Sequence, residues 1–434
     1  MSRQSIRNVL RTSGNALHSD VASSSLQLLI DILFSLSHGT ETIYGLRIHF
    51  VARAGLAPAV FVMPGARQIA VDDSATFCTE LDESLEKIRS KIILLSYLSA
   101  KQRSDILDPN KEHRLRVDPI TLEVDGEILR FNHMDRFRDV PNARAAARDA
   151  VGRMTTRADF ENLPRLLEGL HRSNRRLRPA DYARIARRAG ERGCIFAVIE
   201  SARQVQRTGF RLESSETVAE ILTHVQMKAV DSAWDEAETR QALVWAELVV
   251  DLLQDPSHGR RPPTYQPGAA GAAAEGSTAA VAATPPPPPP AFPLSRDPQV
   301  LAARLHLAAV VADKFGGADT DGKVSRYATE LVQLWPAGGK GLRALHPQAT
   351  YADRRGEMHY LDESNKFLGV AAPLLHGLDT AIRVLGGSQG DSAALAGELQ
   401  SRRDALAAEV HTARAAAPDR RGAAIYKKLF ESEA

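Results

Sequence analysis

Residues 179–210 read PADYARIARRAGERGCIFAVIESARQVQRTGF. Tyr182, Ile185 and Ala189 share one face of a helix beginning near Asp181, while Arg184, Arg187 and Arg188 fall on the other. Gly190 and Gly193 bracket a turn. Ile195, Val198, Ile199, Ala202 and Val205 then form the apolar stripe of a second helix, which stops at Gly209. Glycine just past a helix end suits the left-handed residue that closes it. Two short helices joined by a tight turn cannot each bury an apolar face alone, so such pairs stack on one another.

The same pattern extends in both directions. Upstream, Phe160, Leu163, Leu167 and Leu170 form a stripe, in which Pro164 either sits in the first turn, with Asn162 as a candidate cap, or kinks the helix. Downstream, Thr217, Val218, Ile221, Leu222 and Val225 begin another helix, and Ala242, Trp245, Leu248, Val249 and Leu252 line its partner. The stretch Tyr182 to Phe210 resembles a pentatricopeptide repeat. Tyr182 and Ile185 match that family's early aromatic and aliphatic positions, and Gly193 and Gly209 match its two glycines and their separation. Pro179 stands where the preceding repeat would end. Residues 159–179 and 213–253 resemble degenerate neighbours. Val198 and Val205 stand where the family usually has alanine and methionine, and its base-reading positions show no recognisable code here. The resemblance implies a helical-repeat fold and an RNA partner.

Outside this block the chain changes character. Leu81, Leu85, Ile88, Ile92 and Leu95 step by 4, 3, 4 and 3, which predicts one helix from Thr76 to just before Asp108-Pro109. Ile120, Leu122 and Val124 alternate, Asp125-Gly126 follows, and Ile128, Leu129 and Phe131 complete a hairpin pattern. Residues 255–295 are rich in Pro, Ala and Gly, with six consecutive prolines from Pro285 to Pro290, and read as a linker, the alternative being a proline-motif ligand. Beyond it, helices are expected over Pro298 to Phe315, Lys323 to Leu334, Lys366 to Leu385, Ser392 to Ala415 and Arg421 to Glu431. A long loop spans about Ala337 to Ser364. The expected divisions are therefore 1–75 (targeting and poorly ordered), 76–140 (helix plus β-hairpin), 141–254 (helical repeat), 255–295 (linker) and 296–434 (C-terminal helical domain). The fold class is mainly α: tandem antiparallel helix pairs, with a small helix plus β-hairpin element near the N-terminus.

Composition limits the remaining choices. At 434 residues, 44% hydrophobic and 25% charged, the chain has the make-up of a globular protein. Cys78 and Cys194 are its only cysteines, too few for a disulfide scaffold or an all-cysteine zinc cage. The first 19 residues hold no acid, and Arg3, Arg7 and Arg11 repeat along one helical face beside Ile6, Val9, Leu10 and Leu17. An Arg-rich, Ser-rich, acid-poor amphipathic start is the profile of a mitochondrial presequence, so the matrix is the expected location. The apolar run Leu26 to Leu36 carries Asp31 and falls short of the roughly 20 residues of a membrane span, so no integral span is expected. Residues 40–75 follow no clear pattern.

The net charge of +2 says nothing by itself about a partner, but its distribution does. Arginines number 44 against 11 lysines, in a chain also rich in other residues with GC-rich codons, so only their placement carries weight. From Arg136 to Arg211 there are 18 Arg, no Lys and eight acids. The densest cluster is Arg172, Arg175, Arg176, Arg178, Arg184, Arg187 and Arg188. Such a face would bind phosphates by counterion release. Two other readings are a solvated surface and arginines paired with acidic parts of the same chain.

Catalytic patterns fail on context. Gly386-Gly387-Ser388-Gln389-Gly390 follows a helix rather than the strand a nucleophile elbow requires. Gly338-Gly339-Lys340-Gly341 lacks the spacing of a phosphate loop, and Asp319-Thr320-Asp321-Gly322 lacks the downstream glutamate of a calcium loop. None of the 13 histidines forms a metal-spaced pair with another histidine or a cysteine. No catalytic residue, metal or cofactor is expected. The expected function is a non-enzymatic mitochondrial protein of gene expression, binding RNA or the mitochondrial ribosome through its Arg-rich face. The alternative is a protein–protein scaffold or assembly factor that uses a helical groove.

Overall fold

The computed structural model describes residues 74–124, 127–259, 290–387 and 391–431. The expected targeting segment, the Asp125-Gly126 turn, most of the expected linker and residues 388–390 lie outside them. The described chain is mainly helical, with one two-stranded antiparallel sheet.

Helix α1 (Ser74–Ile88) runs through a π turn at Arg89–Ile93 and on to Tyr97. It stops earlier than the apolar spacing predicts. Leu98 is extended, and Ser99 caps a new helix α2 (Ala100–Leu107) in a reciprocal box with Gln102. The Ser-x-x-Gln pattern is itself a helix-start signal, and it satisfies two backbone donors that a continuous helix would not have left open. Helix α3 (Glu112–Val117) leads into β1 (Ile120–Val124), which pairs with β2 (Glu127–Phe131) in the register Ile120↔Phe131 and Leu122↔Leu129. Leu94, Leu95, Leu98, Ile106, Leu115 and Phe131 close a small core beneath this hairpin.

The middle helices are α4 (Ala143–Arg153), α5 (Leu163–Arg172), α6 (Pro179–Glu191), α7 (Ile195–Arg203), α8 (Ser215–Asp231) and α9 (Glu236–Leu252). Pro164 sits in the first turn of α5, but Asn162 is already helical and its side chain caps nothing. A further turn, Val205–Thr208, extends α7 to Gly209, whose φ of 68° supplies the left-handed close. Ile185, Ile195, Val198, Ile199 and Val205 are buried as the stripe requires. Tyr182 is only half-buried, standing edge-on to buried Phe210.

The C-terminal helices are α10 (Pro298–Val311), α11 (Lys323–Leu334), α12 (Ser364–Gly386), α13 (Asp391–Ala416) and α14 (Arg421–Phe430). Helix α12 is long and apolar enough to cross a membrane, yet it is the hub of the core: α10, α13 and α14 all pack on it. Apolar side chains from Leu81 to Ala413 form one contiguous core. Helix α8 packs on α10 and α12 as well as on α6 and α9, so the helices on either side of residues 255–295 share that core.

A buried polar knot ties the start of α8 to the start of α10. Gln299 Nε2 donates to Ser215 Oγ and to Asp297 Oδ2, both at 2.9 Å, and the Tyr360 hydroxyl donates to Gln299 Oε1 at 3.0 Å. Asp297 also caps α10 by accepting from Gln299 N at 3.1 Å. Burial pushes the Asp297 carboxyl up to about 7, against the hydrogen bonds from Gln299.

Two outcomes follow from this packing. Ile199→Ala should cost about 2–5 kcal/mol in denaturant unfolding, because the site is fully enclosed. For Asp297, the raised folded-state pKa means its contribution is complete below the unfolded value of 3.8 and is lost as pH rises through about 7. The stability of the wild type minus that of Asp297→Asn should therefore fall between those two pH values and level off above them. A flat difference would mean that the carboxyl is not held neutral.

Candidate nucleic-acid interface

The arginine cluster is built around the connection between α5 and α6. Asn174 takes a φ of 55°, a conformation asparagine tolerates, and closes α5. Arg175 N donates back to Leu170 O at 2.9 Å and Asn174 N to His171 O at 3.0 Å, satisfying carbonyls that the helix end leaves open. The chain then runs without regular structure to Pro179, the first residue of α6, where a missing N–H costs nothing. Leu177 turns inward against the core, and Arg175, Arg176 and Arg178 are exposed around it.

The structure divides the seven arginines. Arg175, Arg176, Arg178 and Arg184 are exposed and make no side-chain ion pair among the described residues. Arg172 is exposed but holds Glu168 at 2.7 Å, a carboxylate that also takes Arg207 at 2.7 Å. Arg187 and Arg188 are half-buried, less open than the helical spacing predicts. Arg188 Nη2 donates to Gly152 O at 3.0 Å, fastening α6 to the end of α4. Arg187 Nε and Nη2 donate to Glu220 Oε1 on α8 at 2.9 and 2.7 Å. The expectation that Arg184, Arg187 and Arg188 form one exposed face thus holds for Arg184 alone, because α8 covers the flank of α6 that carries Arg187.

Glu220 is the reason for that flank's chemistry. Its side chain is buried, and Arg421 of α14 reaches it from the other side, with Nη2 donating to Oε2 at 2.8 Å. Burial raises the Glu220 pKa, but the two guanidiniums outweigh it and hold the carboxyl below its ordinary value. Arg421 Nη2 also donates to His224 Nε2 at 3.0 Å, and burial followed by that cation brings the imidazole down to about 4. His224 is therefore the neutral acceptor in this cluster.

Arg175 and Arg176 line a cleft of about 550 Å³ between the ends of α5 and α7 and the starts of α6 and α8. Leu177, Pro179 and Tyr182 supply apolar lining, and Arg211 and Glu213 line it as well. The sequence cluster does not include Arg211. Its signal is the alternation of 210–213, in which buried Phe210 and Leu212 turn Arg211 and Glu213 to the other side of an extended segment. No group of three or more His, Cys, Asp or Glu positioned to hold a metal ion occurs among the described residues.

Glu220→Gln should lower stability by about 2–4 kcal/mol, since it leaves two arginines and a histidine facing a neutral amide. The partial exposure of both arginines keeps the cost below that of a fully enclosed pair. Equilibrium unfolding measures this, and an unchanged midpoint would show that the clamp is dispensable.

The family model described as mitochondrial ribosomal protein mS27 matches residues 74–429. The chain is also 34% identical over 361 residues to the small ribosomal subunit protein mS27 of Neurospora crassa, covering 80% of this chain and 85% of that protein. The family match runs through the described helices, including the α5–α6 turn and the Glu220 clamp. The chain belongs to the mS27 family of mitochondrial ribosomal proteins.

Proposed function

We propose that this chain is a non-enzymatic component of the small subunit of the mitochondrial ribosome, and that it holds RNA by Arg175, Arg176, Arg178 and Arg184, with Arg172 at the margin. Family membership makes the ribosome its partner and mitochondrial translation its process, in the matrix. That location agrees with the acid-free, arginine-bearing N-terminus. One observation supports the RNA face above others: four exposed arginines without an ion pair among the described residues, gathered on a turn and the helix that follows it. A guanidinium that holds no carboxylate is available for bidentate contact with phosphate. The pentatricopeptide-like reading of the helix pairs fits this role, since the turn lies at the start of the best-matching pair.

A protein-facing role has support on a different surface. Phe196 of α7 stacks on Trp245 of α9 with ring centroids 5.2 Å apart, and Phe196 and the neighbouring Val244 are both exposed. Exposed aromatic side chains of this kind anchor protein interfaces. The two surfaces can serve one ribosomal protein together.

Reversing Arg175, Arg176 and Arg178 to Glu should weaken binding to every RNA sequence alike. The slope of log affinity against log salt should flatten by about one unit for each phosphate that is no longer neutralised. Filter binding across a salt series measures both. Unchanged affinity and slope would remove the arginine turn from the interface and leave the aromatic surface as the main attachment.

A further inference from the structure

The cleft beside the arginine turn carries a feature that phosphate binding does not use. Three carboxylates line it: Glu213, Glu216 and Glu357. Glu216 is taken by Arg187 at 3.4 Å and Lys366 at 2.9 Å, and Glu357 is exposed and has a partner of its own. Glu213 is half-buried and makes no ion pair or side-chain hydrogen bond among the described residues. It lines the same cleft as Leu177 and Tyr182. Its position is fixed from both sides. Leu212 N donates to His258 Nδ1 at 3.2 Å, and Ser214 begins the N-terminal cap of α8. The Tyr182 ring is fixed as well, edge-on to Phe210 at 4.8 Å, with its hydroxyl donating to Gly209 O at 3.3 Å.

Resting on the RNA-binding reading above, we infer that this cleft receives one unpaired guanosine of the bound RNA. A carboxylate offers two acceptors side by side. Among the four bases, guanine alone presents two adjacent donors, N1–H and the N2 amine, on its Watson–Crick edge. Adenine and cytosine set an acceptor next to their amine, and uracil flanks its single N–H with two carbonyls, so each places a lone pair against Glu213. Arg175 and Arg176, in the same lining, supply cations for the phosphate of an inserted nucleotide, and Arg211 adds a third. Leu177 and Tyr182 give the base an apolar and aromatic surface, as extruded bases require. The volume of about 550 Å³ is in the range that encloses a ligand of nucleotide size.

The test uses the full-length chain and short single-stranded RNAs of equal length, uridine throughout except for one central guanosine, inosine or adenosine. The guanosine RNA should bind about tenfold more tightly than the adenosine RNA. Inosine, which keeps N1–H and lacks the amine, should fall between them. In Glu213→Gln the guanosine-to-adenosine ratio should collapse towards one. Equal binding of all three RNAs by the wild type, with a steep salt slope, would overturn the guanosine pocket and leave the arginine face standing. A full guanosine preference in the variant would likewise overturn the role of Glu213. Binding of guanosine monophosphate alone as tightly as the RNA would assign the cleft to a free nucleotide instead. No RNA binding at low salt would remove the arginine reading together with the pocket.

Discussion

A buried carboxyl group either stays protonated, as Asp297 does, or is matched by cations, and Glu220 is matched. Its two oxygens are shared between Arg187 of α6 and Arg421 of α14, elements 234 positions apart in the chain, with Glu220 itself on α8. The clamp joins α6 to α8 and ties the last helix to the middle of the chain. Desolvating three charges is costly, so the geometry has to be good, and the hydrogen bonds at 2.7 to 2.9 Å meet that condition. Neutral His224 completes the group by accepting from Arg421 instead of adding a fourth charge.

This clamp also sorts the arginines. Those that face another helix are used inside the molecule: Arg187 on Glu220, Arg188 on the carbonyl of Gly152, and Arg144 on the buried carboxylate of Asp181 at 2.9 Å. Those on the α5–α6 turn make no side-chain ion pair among the described residues. Asn174 and Pro179 keep that connection short and non-helical, so Arg175, Arg176 and Arg178 remain in water, joined by Arg184 one turn into α6. A strongly basic stretch of sequence therefore contributes both to cohesion and to a smaller exposed basic surface beside a cleft.

Local signals in the sequence carried much of this architecture. The periodicity of Lys323 to Leu334 and the glycine at 209 placed helix ends that agree with the structure, and alternating residues on both sides of Asp125-Gly126 gave the hairpin pairing. The break at Leu98 was legible in Ser99 and Gln102, but the continuing apolar stripe hid it. Contacts between distant segments were not legible. Helical spacing puts Arg184 and Arg187 on one face, and nothing nearby shows that α8 covers half of that face with an acid at position 220. The cleft is assembled from three stretches of chain, 167–182, 208–216 and 356–357, so only the alternation of Phe210 to Glu213 hinted at part of its lining. The shared core across residues 255–295 likewise depends on apolar faces of α8 and α10 whose meeting no local pattern encodes.

On the proposed reading, the α5–α6 turn and the neighbouring cleft face RNA in the ribosome. Ultraviolet crosslinking of purified mitochondrial ribosomes, read by mass spectrometry of RNA-bearing peptides, tests it most directly. Crosslinks are expected within residues 173–184 and 209–214. RNA crosslinks confined to other parts of the chain, with the 173–184 peptides recovered unmodified, would contradict it.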